Sequence, residues 1–119
     1  MQNTTDLTVL LDLHKKICGD AMDLLKSKNA DYTNDAKGHG GVFSNLNKAE
    51  AFGICSTEQG ILVRMTDKLA RLASLIEREG HVRSETMRDT IVDLINYAIL
   101  LDAWVSRKTE QTNANTGDK

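Results

Sequence analysis

The sequence predicts an all-α fold, a small bundle of three long helices and one short helix, and three observations predict it. Proline is absent, valine and isoleucine stand singly within leucine-rich stretches apart from the pair Ile91-Val92, and apolar residues recur at steps of three and four. The first removes the strongest helix breaker, the second disfavours sheet, and the third is the period of a helix with one buried face.

The first helix is expected over Leu7 to Lys26, where Leu7, Leu10, Leu11, Ile17, Ala21, Leu24 and Leu25 share a side, with Thr5 or Asp6 as N-cap. From Lys28 to Ser44 the pattern gives way to Asn, Asp, Lys and glycine, so a long loop is predicted, with Gly38, Gly40 and Gly41 around His39. A short helix from Asn45 to Phe52 should end at Gly53. Ser56-Thr57-Glu58-Gln59 has the form of a capping box, in which Ser and Gln each bond the other's backbone N–H, so a long helix should begin there. Its apolar stripe is Ile61, Leu62, Met65, Leu69, Leu72, Leu75 and Ile76, and Gly80 should stop it. The last helix is expected from Ser84 or Glu85 to about Ser106, apolar nearly all round from Ile95 to Val105 and therefore central or part of a subunit interface. Residues 107–119 are rich in Thr, Asn, Gln and charge, and the composition predicts a disordered tail after a single domain of residues 1–106.

A chain of 119 residues suits one core and one site, with 15 basic against 17 acidic side chains and a net charge of −2. No global field draws such a protein onto duplex DNA or an anionic membrane, so any anion must be bound locally. Cys18 and Cys55 lack the spacing of a zinc site or a disulfide framework. With no signal-like start and no apolar run of membrane-spanning length, a cytoplasmic setting is expected.

Chemistry is concentrated on two helices. Glu85, Asp89 and Asp93 stand four apart and form a column that Asn96 and Tyr97 continue. Stacked like charges need compensation, from facing cations or from a divalent metal. Arg64, Lys68 and Arg71 form a basic stripe on the preceding helix, with Asp67 among them, and a short connection makes antiparallel packing of the two the default. Two accounts fit: an inter-helix ion-pair network in which Asp67 orients an arginine, or acids that hold Mg²⁺ while the cations grip nucleotide phosphates. Asp20 and Asp23 are a second acidic pair, solvated or turned towards the same site. Lys28 and Tyr32 open the predicted loop, where they either meet a phosphate and stack on a base or simply pack at a turn. His14 is expected to be a packed side chain.

Four ordered motifs carry a family resemblance: Lys28-x-x-Asp31-Tyr32; Phe43-x-Asn45; Gly60 to Leu72 with Arg64, Asp67, Lys68 and Arg71; and Glu85-x-x-x-Asp89-Thr-x-x-Asp93-Leu-x-Asn96-Tyr97-Ala. Over about residues 24–104 the chain resembles the phage and bacterial family called nucleotide modification associated domain type 1. That family is itself similar to the MazG-like all-α nucleotide pyrophosphohydrolases, whose helix-borne acids hold Mg²⁺. The resemblance implies Glu85, Asp89, Asp93 and Asp67 as metal-ligand candidates, Asp89 and Asp93 as catalytic ones, and Lys68 and Arg71 on phosphate. Lys28, Tyr32, Arg64 and Asn96 complete the expected substrate contacts. The chain departs from the MazG-like pattern in having no Glu-x-x-Glu, a place that Asp20/Asp23 or Asp67 would have to fill.

The expected function is binding of (deoxy)nucleotide phosphates through Mg²⁺ and basic side chains, with hydrolysis to the monophosphate as a further step. The alternative is a non-catalytic phage protein, in the host cytoplasm, that sequesters a nucleotide or cyclic-nucleotide signal or docks on a host defence protein. Homo-oligomerisation is expected from the apolar last helix, with Leu101 and Trp104 near the interface.

Overall fold

The computed structural model describes residues 2–33, 42–79 and 85–116, with side chains described for 5–29, 43–78 and 85–112. Helices α1 (Gln2–Thr33), α2 (Val42–Leu46), α3 (Lys48–Ala51), α4 (Thr57–Glu79) and α5 (Glu85–Thr116) make up these residues, with no strand among them. None of the helices is long and apolar enough to cross a membrane, among the described residues.

The central member is α5. It runs antiparallel to α4, as shown by Lys68 pairing with Asp93 midway and Glu58 with Lys108 further along. On another side it carries α1, through the Asn96 Nδ2 donor to Ala21 O at 3.0 Å and the Arg88–Asp20 ion pair at 3.2 Å. The core is small: Leu46, Ile61 and Leu100 are buried together, with Leu25, Phe43, Met65, Tyr97, Leu101 and Trp104 packed around them. Leu101 and Trp104, expected near a subunit interface, are half-buried against the chain's own core.

The start of α4 follows its sequence signature. Gln59 N donates to Ser56 Oγ at 3.1 Å and Ser56 N to Gln59 Oε1 at 3.0 Å, the reciprocal pair of a capping box. Glu50 adds a contact that sequence spacing did not suggest: its carboxylate accepts from Thr57 N at 2.7 Å, a negative charge at the positive end of the α4 dipole. The chain reaches this point through Gly53, whose φ of 78° is open to glycine and strained for other residues.

Three expected boundaries change. The first helix runs to Thr33, beyond Lys26, because Asn, Asp and Lys weaken a helix without breaking it and no glycine intervenes until Gly38. The expected loop loses its first six residues to α1; Gly38, His39, Gly40 and Gly41 lie outside the described residues, as do Gly80, His81 and Ser84. The short helix is two, α2 and α3, separated at Asn47. Finally, α5 continues to Thr116, so most of the expected disordered tail is helical. Tertiary contacts anchor it: Lys108 Nζ sits 2.6 Å from Glu58 Oε2, and the Arg107 guanidinium lies 5.8 Å from the Phe43 ring centroid and 5.6 Å from that of Trp104.

Glu58 is held below its ordinary value of 4.5, first by the Lys108 hydrogen bond, then by backbone N–H donation, and weakly by the Trp104 indole from beyond bonding distance. A carboxylate depressed on folding stabilises above its unfolded value and loses that contribution as pH falls through the folded one. Acid titration below 4.5 should therefore cost the wild type more stability than Glu58→Gln, as read by denaturant midpoints. Ile61, 0% exposed at the centre of the core, should lose about 2–5 kcal/mol on change to Ala, measured the same way.

Candidate functional site

Asp93 lies where the three long helices meet. Its position on α5 follows from the four-residue spacing of the acidic column, and the antiparallel register brings the basic stripe of α4 to it. Asp93 Oδ2 is 3.1 Å from Lys68 Nζ of α4, and Oδ1 is 3.5 Å from Lys28 Nζ of α1. One carboxylate, 21% exposed, thus answers two ammonium groups on different helices.

Beside it opens a small, shallow cleft lined by Lys28, Arg64, Asp93, Asn96, Tyr97 and Asn45 over an apolar floor of Leu25, Leu46 and Leu100. Arg64 lines this space with no hydrogen bond or ion pair among the described residues. Among the described residues the local balance is three cations, Lys28, Arg64 and Lys68, against Asp93, a surplus of two positive charges in a chain of net −2. Asn96 is 7% exposed; its amide nitrogen is spent on Ala21 O, while its buried Oδ1 has no donor among the described residues. A buried acceptor without a donor is costly, and a ligand donor or an Arg64 movement would satisfy it.

Of the expected site residues, Lys28, Arg64, Lys68, Asp93 and Asn96 come together. Glu85 and Asp89 share the column but are exposed, as are Asp67 and Arg71 on α4, and none of the four has a partner among the described residues. Tyr32 belongs to the last turns of α1, and its side chain lies outside the described ones. Asp20 is engaged by Arg88, so the acidic pair Asp20/Asp23 does not turn as a unit to the cleft. Two cleft residues were not proposed from sequence as contacts, Asn45 and Tyr97; both stand in the quoted motifs, which is the signal that marks them. His14 is exposed on α1, 3.6 Å from Cys18 Sγ, rather than packed.

For a resident divalent ion the donor set does not fit. No three His, Cys, Asp or Glu side chains converge among the described residues, and the one acid in the cleft is occupied by lysines. The arrangement is suited to holding an anion, by moving cations from Asp93 to the incoming charge. No protein-family model, curated protein or solved structure matches the chain.

Stability should rest more on the buried amide than on the ion pairs. Asn96→Ala is expected to cost about 1–2 kcal/mol, the range for a lost buried hydrogen bond, and Asp93→Asn under about 1 kcal/mol, since its partners are partly exposed and screened. Urea unfolding of the two variants checks the order; the reverse order would give the lysine pairs the larger role.

Proposed function

We propose that the cleft between α1, α2, α4 and α5 binds the phosphate groups of a nucleotide. The observation that supports this above all is the cation surplus: Arg64 lines the cleft unpaired among the described residues, and Lys28 and Lys68 share one carboxylate. A guanidinium makes two parallel hydrogen bonds to phosphate, and ammonium groups supply point charge beside it. Tyr97 offers an aromatic face, and Asn45 and Asn96 offer amide edges, to the non-ionic part of the ligand.

The family resemblance points the same way on ligand class and further on chemistry, towards Mg²⁺ and hydrolysis. Binding is the step that the side chains support by themselves. Mg²⁺ belongs to this reading as an ion carried by the nucleotide's own phosphates. Arg71, Asp67 and Glu85 stay outside the proposed contact set. A nucleotide recovered intact after incubation supports sequestration, whereas pyrophosphate release abolished by Asp93→Asn supports the hydrolase reading.

Thermal shift across a nucleotide panel, with and without Mg²⁺, tests binding, because a ligand at about a hundredfold its Kd adds ~2.7 kcal/mol to the native state. Arg64→Ala should weaken binding roughly thirtyfold, the equivalent of about 2 kcal/mol for a charge-assisted contact, with little effect on the unliganded melting temperature. Asp93→Asn should tighten metal-free binding, since both lysines are then released to the phosphate. No stabilisation by any nucleotide, or equal affinity in Arg64→Ala, would end the proposal.

A further inference from the structure

Among the described residues, runs of exposed apolar side chains stand on α4 and on the first half of α1. On α4, Leu62, Leu69 and Ile76 recur every seven residues at 48%, 53% and 55% exposure, with exposed Thr66 and Ala73 between them. No charged residue interrupts this stripe, which stands beside the α5-facing side formed by Ile61, Lys68 and Leu75. On α1, Leu7, Leu10 and Leu11 are 57%, 61% and 58% exposed.

The α1 leucines cannot be covered by bending the helix back. From Gln2 to Thr33 α1 is continuous, and among the described residues its side-chain bonds to α5 begin at Asp20, with Asp20–Arg88, Ala21–Asn96 and Lys28–Asp93. Its first half is therefore a stiff arm. Residues 5–17 span about 18 Å at the helical rise, and Leu62 to Ile76 about 21 Å, so arm and stripe match in length. A seven-residue apolar repeat is the pattern that takes another helix.

Dimensions of the chain point to the same missing cover. It exposes 8753 Å², whereas a monomeric protein of 13.2 kDa exposes about 6,400 Å² by the usual scaling. Its radius of gyration is 18.0 Å against about 13.5 Å for a compact domain of this length. The excess, on the order of 2,000 Å² per chain, exceeds the ~800 Å² that each partner contributes to a standard interface.

We infer that a second copy of this chain supplies the cover, the α1 arm of each protomer lying along the α4 stripe of the other. The contact is reciprocal, so it closes at two copies, and each uncovered face finds its complement in one operation. The cleft residues Arg64, Asp93 and Asn96 lie off the stripe, so this inference is independent of the nucleotide reading.

Light scattering of the full chain at micromolar concentration should return twice 13.2 kDa. Leu10→Glu and Leu69→Glu should each return the single mass with unchanged helical circular dichroism. For placement, Leu10→Cys and Leu69→Cys are made separately in a Cys18→Ser, Cys55→Ser background, mixed and oxidised. A disulfide joining the two variants is expected. A monomeric wild type would overturn the inference, and so would cross-links formed only between like variants, which would pair arm with arm or stripe with stripe.

Discussion

The fold depends on α5 serving two neighbours at once, and on the polar side chains that fix how it does so. Among the described residues the buried apolar side chains are Ala21, Leu46, Ile61, Leu75, Val92 and Leu100, a small core for setting the angle and register of three long helices by packing alone. Asp93 and Asn96 supply what the cluster lacks. Asp93 reaches α4 through Lys68 and α1 through Lys28, and Asn96 binds the α1 backbone at Ala21. Each such bond is modest in net energy, but a misplaced register would leave a half-buried carboxylate without cations, which is costly. Specificity of arrangement is therefore the main contribution of these residues, and the cleft is a by-product of where they stand.

That placement also explains the charge of the cleft. A carboxylate neutralises one ammonium, yet two approach it, and Arg64 stands nearby without any partner among the described residues. Over an apolar floor of Leu25, Leu46 and Leu100 the uncompensated cations are less screened than on an open surface. An anion entering there meets charge already oriented, and lysine stems of four carbons can turn from Asp93 to phosphate without moving a helix. A protein-held Mg²⁺ at Asp93 would have to displace two cations, and Glu85 and Asp89 are exposed on the same helix.

Local features of this molecule were legible in the sequence, and features that join distant segments were legible only in part. Ser56 and Gln59 announce the α4 start because a capping box is closed within four residues. Lys68 and Asp93 were readable as facing stripes because periodicity fixes sides and a short connection fixes direction. Convergence of the whole column was not. Spacing places Glu85, Asp89 and Asp93 on one face, but whether another helix stands opposite each turn is a tertiary fact, and only Asp93 meets one. The long reach of Arg88 to Asp20 and of Glu50 to Thr57 left no spacing signal. Composition misled at the end of α5: polar residues 107–116 cannot bury a face of their own, yet they propagate a helix already nucleated and pinned by Lys108.

Exposure of so much apolar surface is a physical problem that the single chain does not solve. Burying a leucine is worth about 1.5–3 kcal/mol relative to leaving it in water, and native domains keep only about 5–15 kcal/mol in all. With Leu7, Leu10, Leu11, Leu62, Leu69 and Ile76 all about half exposed, the cover withheld is comparable to the whole expected stability. Adding core residues could not fix this, because among the described residues the bonds that anchor α1 begin at Asp20 and leave the leucines of its first half exposed. A reciprocal partner removes both deficits without touching Asp93, so the contacts that orient the cleft and those that cover the arm act on separate faces of the same three helices.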